Sequence, residues 1–215
     1  MWPPGRASGS KQVSEHDQGT VDVGLETALG VIIVRLQESA APITTSNFLH
    51  YVDGGYYDGG RFHRAVRLDN QSNANLKGER IGAGISVNAD RSQLPNDQIA
   101  IEVIQGGIDP ARSGVQNGPI PLERTHETGL RHVDGAISMA RFTPDSAVSD
   151  FFICINDQPE LDYGGRRNPD GQGFAAFGTV IDGMDVVRAI QVQPSDGQVL
   201  EPPVGIVHAW RVAPA

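Results

Sequence analysis

The chain has 215 residues, 39% of them apolar, with 26 glycines and a formal net charge of −9. That length buries a core without covalent staples, and the single cysteine, Cys154, excludes an internal disulfide framework and any paired-cysteine metal motif. Acidic residues are scattered and no basic stripe occurs, which argues against nucleic acid as a partner. No stretch approaches the roughly 18 apolar residues of a membrane span, so no membrane partner is expected.

Residues 1 to 18 are polar and rich in Pro, Gly and Ser, and are expected to form a disordered tail ahead of one domain over 19–215. The opening MWPPGRASGSKQ lacks the apolar run of a signal peptide, so a cytoplasmic location is expected for the chain as written. Export is the expectation instead if a signal peptide has been removed ahead of this sequence.

Regular structure is predicted from TVDVGLE, where Val21, Val23 and Leu25 alternate with polar or small residues at the period of a half-buried strand. GVIIVRL follows across a short turn, which makes a hairpin. After Pro42, ITTSNFLHYVDGG reads as a helix with Thr44 or Thr45 as its cap, Phe48, Tyr51 and Val52 on one face, and Gly54–Gly55 as its stop. YYDGGRFHRAV is a turn and a strand. VIDGMDVVRAIQ repeats the helix pattern, with Asp182 as cap and Met184, Val187 and Ile190 sharing a face. GIVHAWRV closes the chain as an alternating strand with Ile206, Trp210 and Val212 on one side. Many strands with two helices far apart in sequence suggest an antiparallel barrel with a helix over each open end. The span 67–100 has no aromatic residue and little periodicity, and is expected to be a long inserted loop.

Taken singly, the notable residues have bland explanations. Arg64 would be a solvated strand residue, Gln105 a bulge residue beside paired glycines, Phe152 and Met139 core, and Cys154 in FFIC a small buried hydrophobe. Arg166–Arg167 reads as a solvated turn. His126 and His132 have no third ligand in register for zinc.

Their order changes the reading. FHR (62–64), QGG (105–107), LRHVDGAISMA (130–140), SDFFIC (149–154), ELD (160–162), FAAFG (174–178) and VIDGMDVV (180–187) together resemble the cyclophilin family of peptidyl-prolyl cis-trans isomerases. The resemblance runs from about residue 20 to the C-terminus, interrupted by the insertion. It implies a mainly β fold: a closed eight-stranded antiparallel barrel capped by two α-helices, with the active groove on the barrel's outer face. It also implies Arg64 as the catalytic cation, Gln105 as a partner of the substrate backbone, and Met139, Ala140, Phe152, Leu161 and Phe174 around a proline pocket. His63 would stand close by in support, and Phe62 would be buried under the strand. No metal or cofactor is implied. The implied partners are proline-containing peptides and unfolded or partly folded proteins, and a monomer is expected.

The chain departs from that pattern in ways that bear on the site. The usual Pro-x-Phe-Met run before QGG is absent: Glu102 stands in the aromatic's place and Val103 in that of Met, so a carboxylate could pair with Arg64. Phe174 or Phe142 could repair the pocket. Glu160 replaces the tryptophan that helps some relatives bind cyclosporin, so weak cyclosporin binding is expected. Arg141 and Asp150 replace Asn and Gln on surfaces that in the family contact residues preceding the proline. Two functions remain open on these residues: an isomerase, and a non-catalytic module that binds proline-containing segments.

Overall fold

The computed structural model describes residues 19–71 and 99–213. The expected tail, 1–18, and most of the expected insertion, 72–98, lie outside the described residues.

Eight strands close on themselves. In chain order the strands are β1 (Thr20–Thr27), β2 (Gly30–Gln37), β3 (Arg61–Val66), β4 (Val103–Gly107), β5 (Ala136–Met139), β6 (Phe151–Cys154), β7 (Ala175–Asp182), the two-residue β8 (Ser195–Asp196) and β9 (Val199–Arg211). Around the barrel the order is β1-β2-β7-β5-β6-β4-β3-β9, and β9 pairs back onto β1. Every pairing is antiparallel. β8 pairs with β9 alone and forms a short hairpin outside the ring. Among the described residues, closure leaves no edge strand within the eight-stranded ring, and only the two-residue β8 has an unpaired side.

The interior is one apolar cluster fed by alternate strand residues, among them Val23, Leu25, Ile32, Val34, Leu36, Phe62, Ile104, Ile137, Phe151, Ile153 and Phe177. Helix α1 (Pro42–Asp53) contributes Phe48, Leu49, Tyr51 and Val52 to it, and α3 (Met184–Gln191) contributes Val186, Val187 and Ile190. Removing each such side chain from water stabilises the fold by about 1.5–3 kcal/mol. A single helical turn, α2 (Thr125–Thr128), is an element the sequence periodicity does not reveal.

Both helix starts differ from expectation. α1 begins at Pro42 with Ala41 as its cap residue, and neither threonine caps it. Glu123, far away in sequence, accepts from the backbone N–H groups of Ile43 (3.1 Å) and Thr44 (2.8 Å) and from the Thr44 hydroxyl (2.6 Å). The carboxylate thereby satisfies donors that a local Ser or Thr usually takes, and puts negative charge at the positive helix end. In α3 the cap is Gly183 at φ +87°, because Asp182 is still in β7, paired with Ile33. A Cβ at Gly183 would collide with the Val31 carbonyl.

β9 also corrects a reading. Ile206 is inside, but the pairing with β1 shifts between Glu26 and Thr27, so Val207 is an extra residue and Ala209 takes the next inward place. Trp210 is therefore on the outer face, over Gly24 and stacked on His208 (5.5 Å, 8°). Of the two arginines read as solvated, Arg166 is exposed and pairs with Glu160, whereas Arg167 is buried and donates to the Ile99 carbonyl.

Candidate active site

The site begins with an irregularity in β3. Phe62 pairs with Gly106 and Arg64 with Gln105, so His63 is an extra residue on that strand. Strict alternation would send residues 62 and 64 to the same side. The bulge instead leaves Phe62 and Ala65 in the interior cluster and re-aims Arg64 outward.

Once outward, Arg64 heads a row of paired residues across four strands: Arg64 opposite Gln105, Gln105 opposite Phe152, Phe152 opposite Ser138. Neighbouring strands lie ~4.8 Å apart, so the guanidinium and the Phe152 ring are within reach of one small ligand. Arg64 is half-buried and held from two sides. Its Nη1 donates to Gln105 Oε1 (3.0 Å), while Nε (3.0 Å) and Nη2 (2.6 Å) both donate to Oε1 of Gln198, at the tip of the β8–β9 hairpin. Burial, and then the nearby Arg167, lowers the Arg64 pKa to about 10, which leaves it cationic at neutral pH. Gln198 is the residue that sequence reasoning missed. Its only sequence signal is the turn-forming glycine before it, Gly197 at φ +56°.

Beyond Gln105 lies a second apolar cluster, outside the barrel: Val66, Ile101, Val103, Ala136, Phe152, Cys154 and Leu161, with Ala140 and Phe174 packed against it. Phe174 meets Phe152 edge-on (5.3 Å, 88°), and the Arg141 guanidinium lies over Phe174 at 5.1 Å. Arg141 is fixed in turn by Asp170 (2.8 and 3.0 Å) and the Gly173 carbonyl (2.7 Å). Beneath Phe152, His132 stacks parallel to its ring (6.0 Å, 14°). His132 is pinned by Asp162 at Nδ1 (2.8 Å) and Ser138 at Nε2 (3.0 Å). Burial depresses the His132 pKa, only partly offset by Asp162, so the ring is neutral and serves as a support.

The structure thus brings together Arg64, Gln105, Ala140, Phe152, Leu161 and Phe174. It does not bring in Met139, whose side chain is in the interior cluster: in β5 Ala136 and Ser138 face outward and Ile137 and Met139 inward. Phe142 is 57% exposed and forms no part of the apolar cluster, so of the two rings expected to repair the pocket Phe174 is the one in place. Glu102 does not pair with Arg64; it accepts from the Asn156 side-chain amide at 2.9 Å. His63 lies beside the row, its Nε2 3.7 Å from Asp150 Oδ2, and the same carboxylate oxygen accepts from Gln105 Nε2 at 3.4 Å. Cys154 is buried in the outer cluster, and burial pushes its thiol pKa far up, away from reactivity.

Comparison with known proteins agrees with this geometry. The family described as cyclophilin type peptidyl-prolyl cis-trans isomerase/CLD matches residues 20–211. The chain is 32% identical over 170 residues to a peptidyl-prolyl cis-trans isomerase of Streptomyces antibioticus, covering 79% of this chain and 82% of the relative. It is 33% identical over 171 residues to peptidyl-prolyl cis-trans isomerase A of Dickeya dadantii, covering 79% and 70%. Its fold is similar to the crystal structure of a cyclophilin-type isomerase of Cryptosporidium parvum, with a TM-score of 0.63 at 21% identity over 91% of this chain and 99% of that one. A crystal structure of that protein in the presence of the dipeptide Ala-Pro is similar as well, at a TM-score of 0.62, 22% identity, and coverage of 90% and 99%. A closed eight-stranded antiparallel barrel that matches those structures over nearly their whole length is a cyclophilin-type fold. The chain belongs to the cyclophilin-type peptidyl-prolyl cis-trans isomerase family.

Proposed function

We propose that this chain accelerates cis–trans rotation about X–Pro bonds in peptides and partly folded proteins, with Arg64 as the catalytic cation. Conjugation gives a peptide bond a rotation barrier of about 18–20 kcal/mol, and X–Pro exchange takes tens to hundreds of seconds unaided. A donor aimed at the prolyl nitrogen draws its lone pair out of conjugation with the carbonyl, which lets the bond rotate without proton transfer. Reducing the barrier by about 5 kcal/mol corresponds to several thousandfold.

The observation that carries this reading is the outward turn of Arg64 at the His63 bulge, in register with Gln105 and Phe152. A guanidinium has five N–H donors in a fixed fork. The two glutamine oxygens take those on Nε and one each on Nη1 and Nη2, which leaves donors for a substrate nitrogen while the plane is held still. The outer cluster supplies the low-dielectric surface on which such a donor is strongest, with Phe152 and Leu161 as floor and Phe174 as wall. Gln105, fixed at its oxygen by Arg64 and at its nitrogen by Asp150, is placed to meet the substrate backbone. The non-catalytic reading is not favoured, since Glu102, the group that would have quenched Arg64, is engaged with Asn156.

Glu160 is paired with Arg166 at the rim, which supports weak cyclosporin binding. A protease-coupled assay on a short Xaa-Pro peptide tests the activity. Acceleration that is lost in Arg64→Ala is expected; acceleration unchanged by that substitution would remove the mechanism.

A further inference from the structure

The apolar row and Arg64 account for a proline, but one charged group at the same site, beyond steadying the Gln105 amide at 3.4 Å, has a charge that this chemistry does not use. Asp150 sits immediately before β6, and its side chain is 35% exposed. Space for it exists because residue 107 is glycine: a Cβ there would run into the Asp150 carboxylate. Among the described residues its one ion-pair partner within reach is His63, at 3.7 Å. Burial holds the His63 pKa below its ordinary value, so that ring is neutral at pH 7 and gives no full countercharge. The other groups facing this corner do not supply one either. Arg64 is turned to Gln105 and Gln198, and Arg61 is exposed to solvent. The buried Tyr57 hydroxyl donates to the Ser149 carbonyl.

Resting on the isomerase reading above, we propose that Asp150 selects substrates with a lysine or arginine within about two residues of the proline, the substrate cation supplying the missing countercharge. The distances fit. A cation bonded to Asp150 Oδ2 at ~2.8 Å lies at most roughly 6 Å from the Gln105 amide nitrogen, given the 3.4 Å between that nitrogen and the same oxygen. Extended chain advances ~3.3 Å per residue, so a flanking basic side chain spans the gap while the proline stays over Phe152. The net charge of −9 works in the same direction by raising the local concentration of cationic chains. An acidic residue at that place would meet a like charge across a partly desolvated gap, and is disfavoured.

The test uses peptides identical except for Lys, Ala or Glu flanking the proline. Turnover is measured with the full chain and with Asp150→Asn, and affinity is measured separately by titration calorimetry. The Lys peptide is expected to exceed the Glu peptide by about tenfold in kcat/KM at low ionic strength. The ratio is expected to shrink with added salt and to approach one in Asp150→Asn. Equal use of the two peptides by the natural chain, or a preference that persists in Asp150→Asn, would overturn the proposal. If the Ala peptide is not isomerised at all, the isomerase reading fails, and the calorimetric Lys-to-Glu affinity ratio still decides whether Asp150 selects. Asp150→Gln serves as the second variant should Asp150→Asn not fold.

Discussion

Gln198 Oε1 accepts two hydrogen bonds from one guanidinium, from Arg64 Nε at 3.0 Å and from Nη2 at 2.6 Å. The oxygen lies on the far side of Arg64 from Gln105, so the guanidinium plane is set by two amides, one on β4 and one at the tip of the β8–β9 hairpin. Gln198→Leu keeps the hairpin but removes that acceptor. It is expected to lower kcat by about tenfold with little change in KM, since the loss falls on orientation rather than on proline contact. Steady-state kinetics on one Xaa-Pro peptide separate the two parameters; a rise in KM alone would show that Gln198 acts on binding.

Arg64→Ala removes the donor itself. A loss of about 10²–10³ in kcat/KM is expected, the size seen when one preorganised transition-state donor is deleted. Arg64→Lys retains the charge but not the planar fork and is expected to recover little. The thermal midpoint should hold to within a few degrees in both, because Phe62 and Ala65 still anchor β3 in the interior.

Phe152→Ala takes away the floor of the outer cluster, where the side chain is 5% exposed and stacked on His132. Destabilisation of about 3–5 kcal/mol is expected for truncating a ring so buried, along with a raised KM. Chemical denaturation and peptide titration read the two effects independently.

Glu123→Ala leaves the first turn of α1 without its distant acceptor. A loss of about 1–2 kcal/mol is expected, as for removal of a helix cap, measured as a fall in denaturation midpoint with kinetics on the peptide unchanged.

Acid should weaken the fold through His132. Its folded pKa lies below the ordinary value because of burial, so below about pH 6.5 the unfolded chain takes up a proton that the folded one refuses, and stability falls with pH. Asp162 acts in the same direction at lower pH: burial alone would raise its pKa, but the bonds from His132 and Arg131 hold it below normal. The stability it contributes is therefore present above its ordinary value near pH 4 and is lost as pH drops through the folded value. Thermal midpoints between pH 7.5 and 5 should decline in the natural chain and decline less in His132→Asn.

The barrel was legible because its strands alternate and its motifs fall in a fixed order. Phe62 inside and Arg64 outside were also foreseen, but from resemblance, since simple alternation would have placed them together. What escaped the sequence depends on phase and distance. The bulge at Val207 moved Trp210 to the outer face, and the phase of β5 put Met139 inside while Ala140 stayed at the groove. Gln198 and Glu123 act on partners 134 and about 80 positions away, through contacts that no local pattern announces.

Gln71 links the two ends of the stretch between β3 and β4. Its side chain accepts from the Ile101 backbone N–H (2.9 Å) and donates to the Ile101 carbonyl (2.8 Å), as a neighbouring strand residue would. Residues 71 and 101 are thereby clasped to one another close to the ends of β3 and β4. Lengthening a segment between two ends so held costs only logarithmically in entropy when the segment is flexible. A change of length between these two clasped residues is therefore expected to leave the register from Arg64 to Phe152 intact.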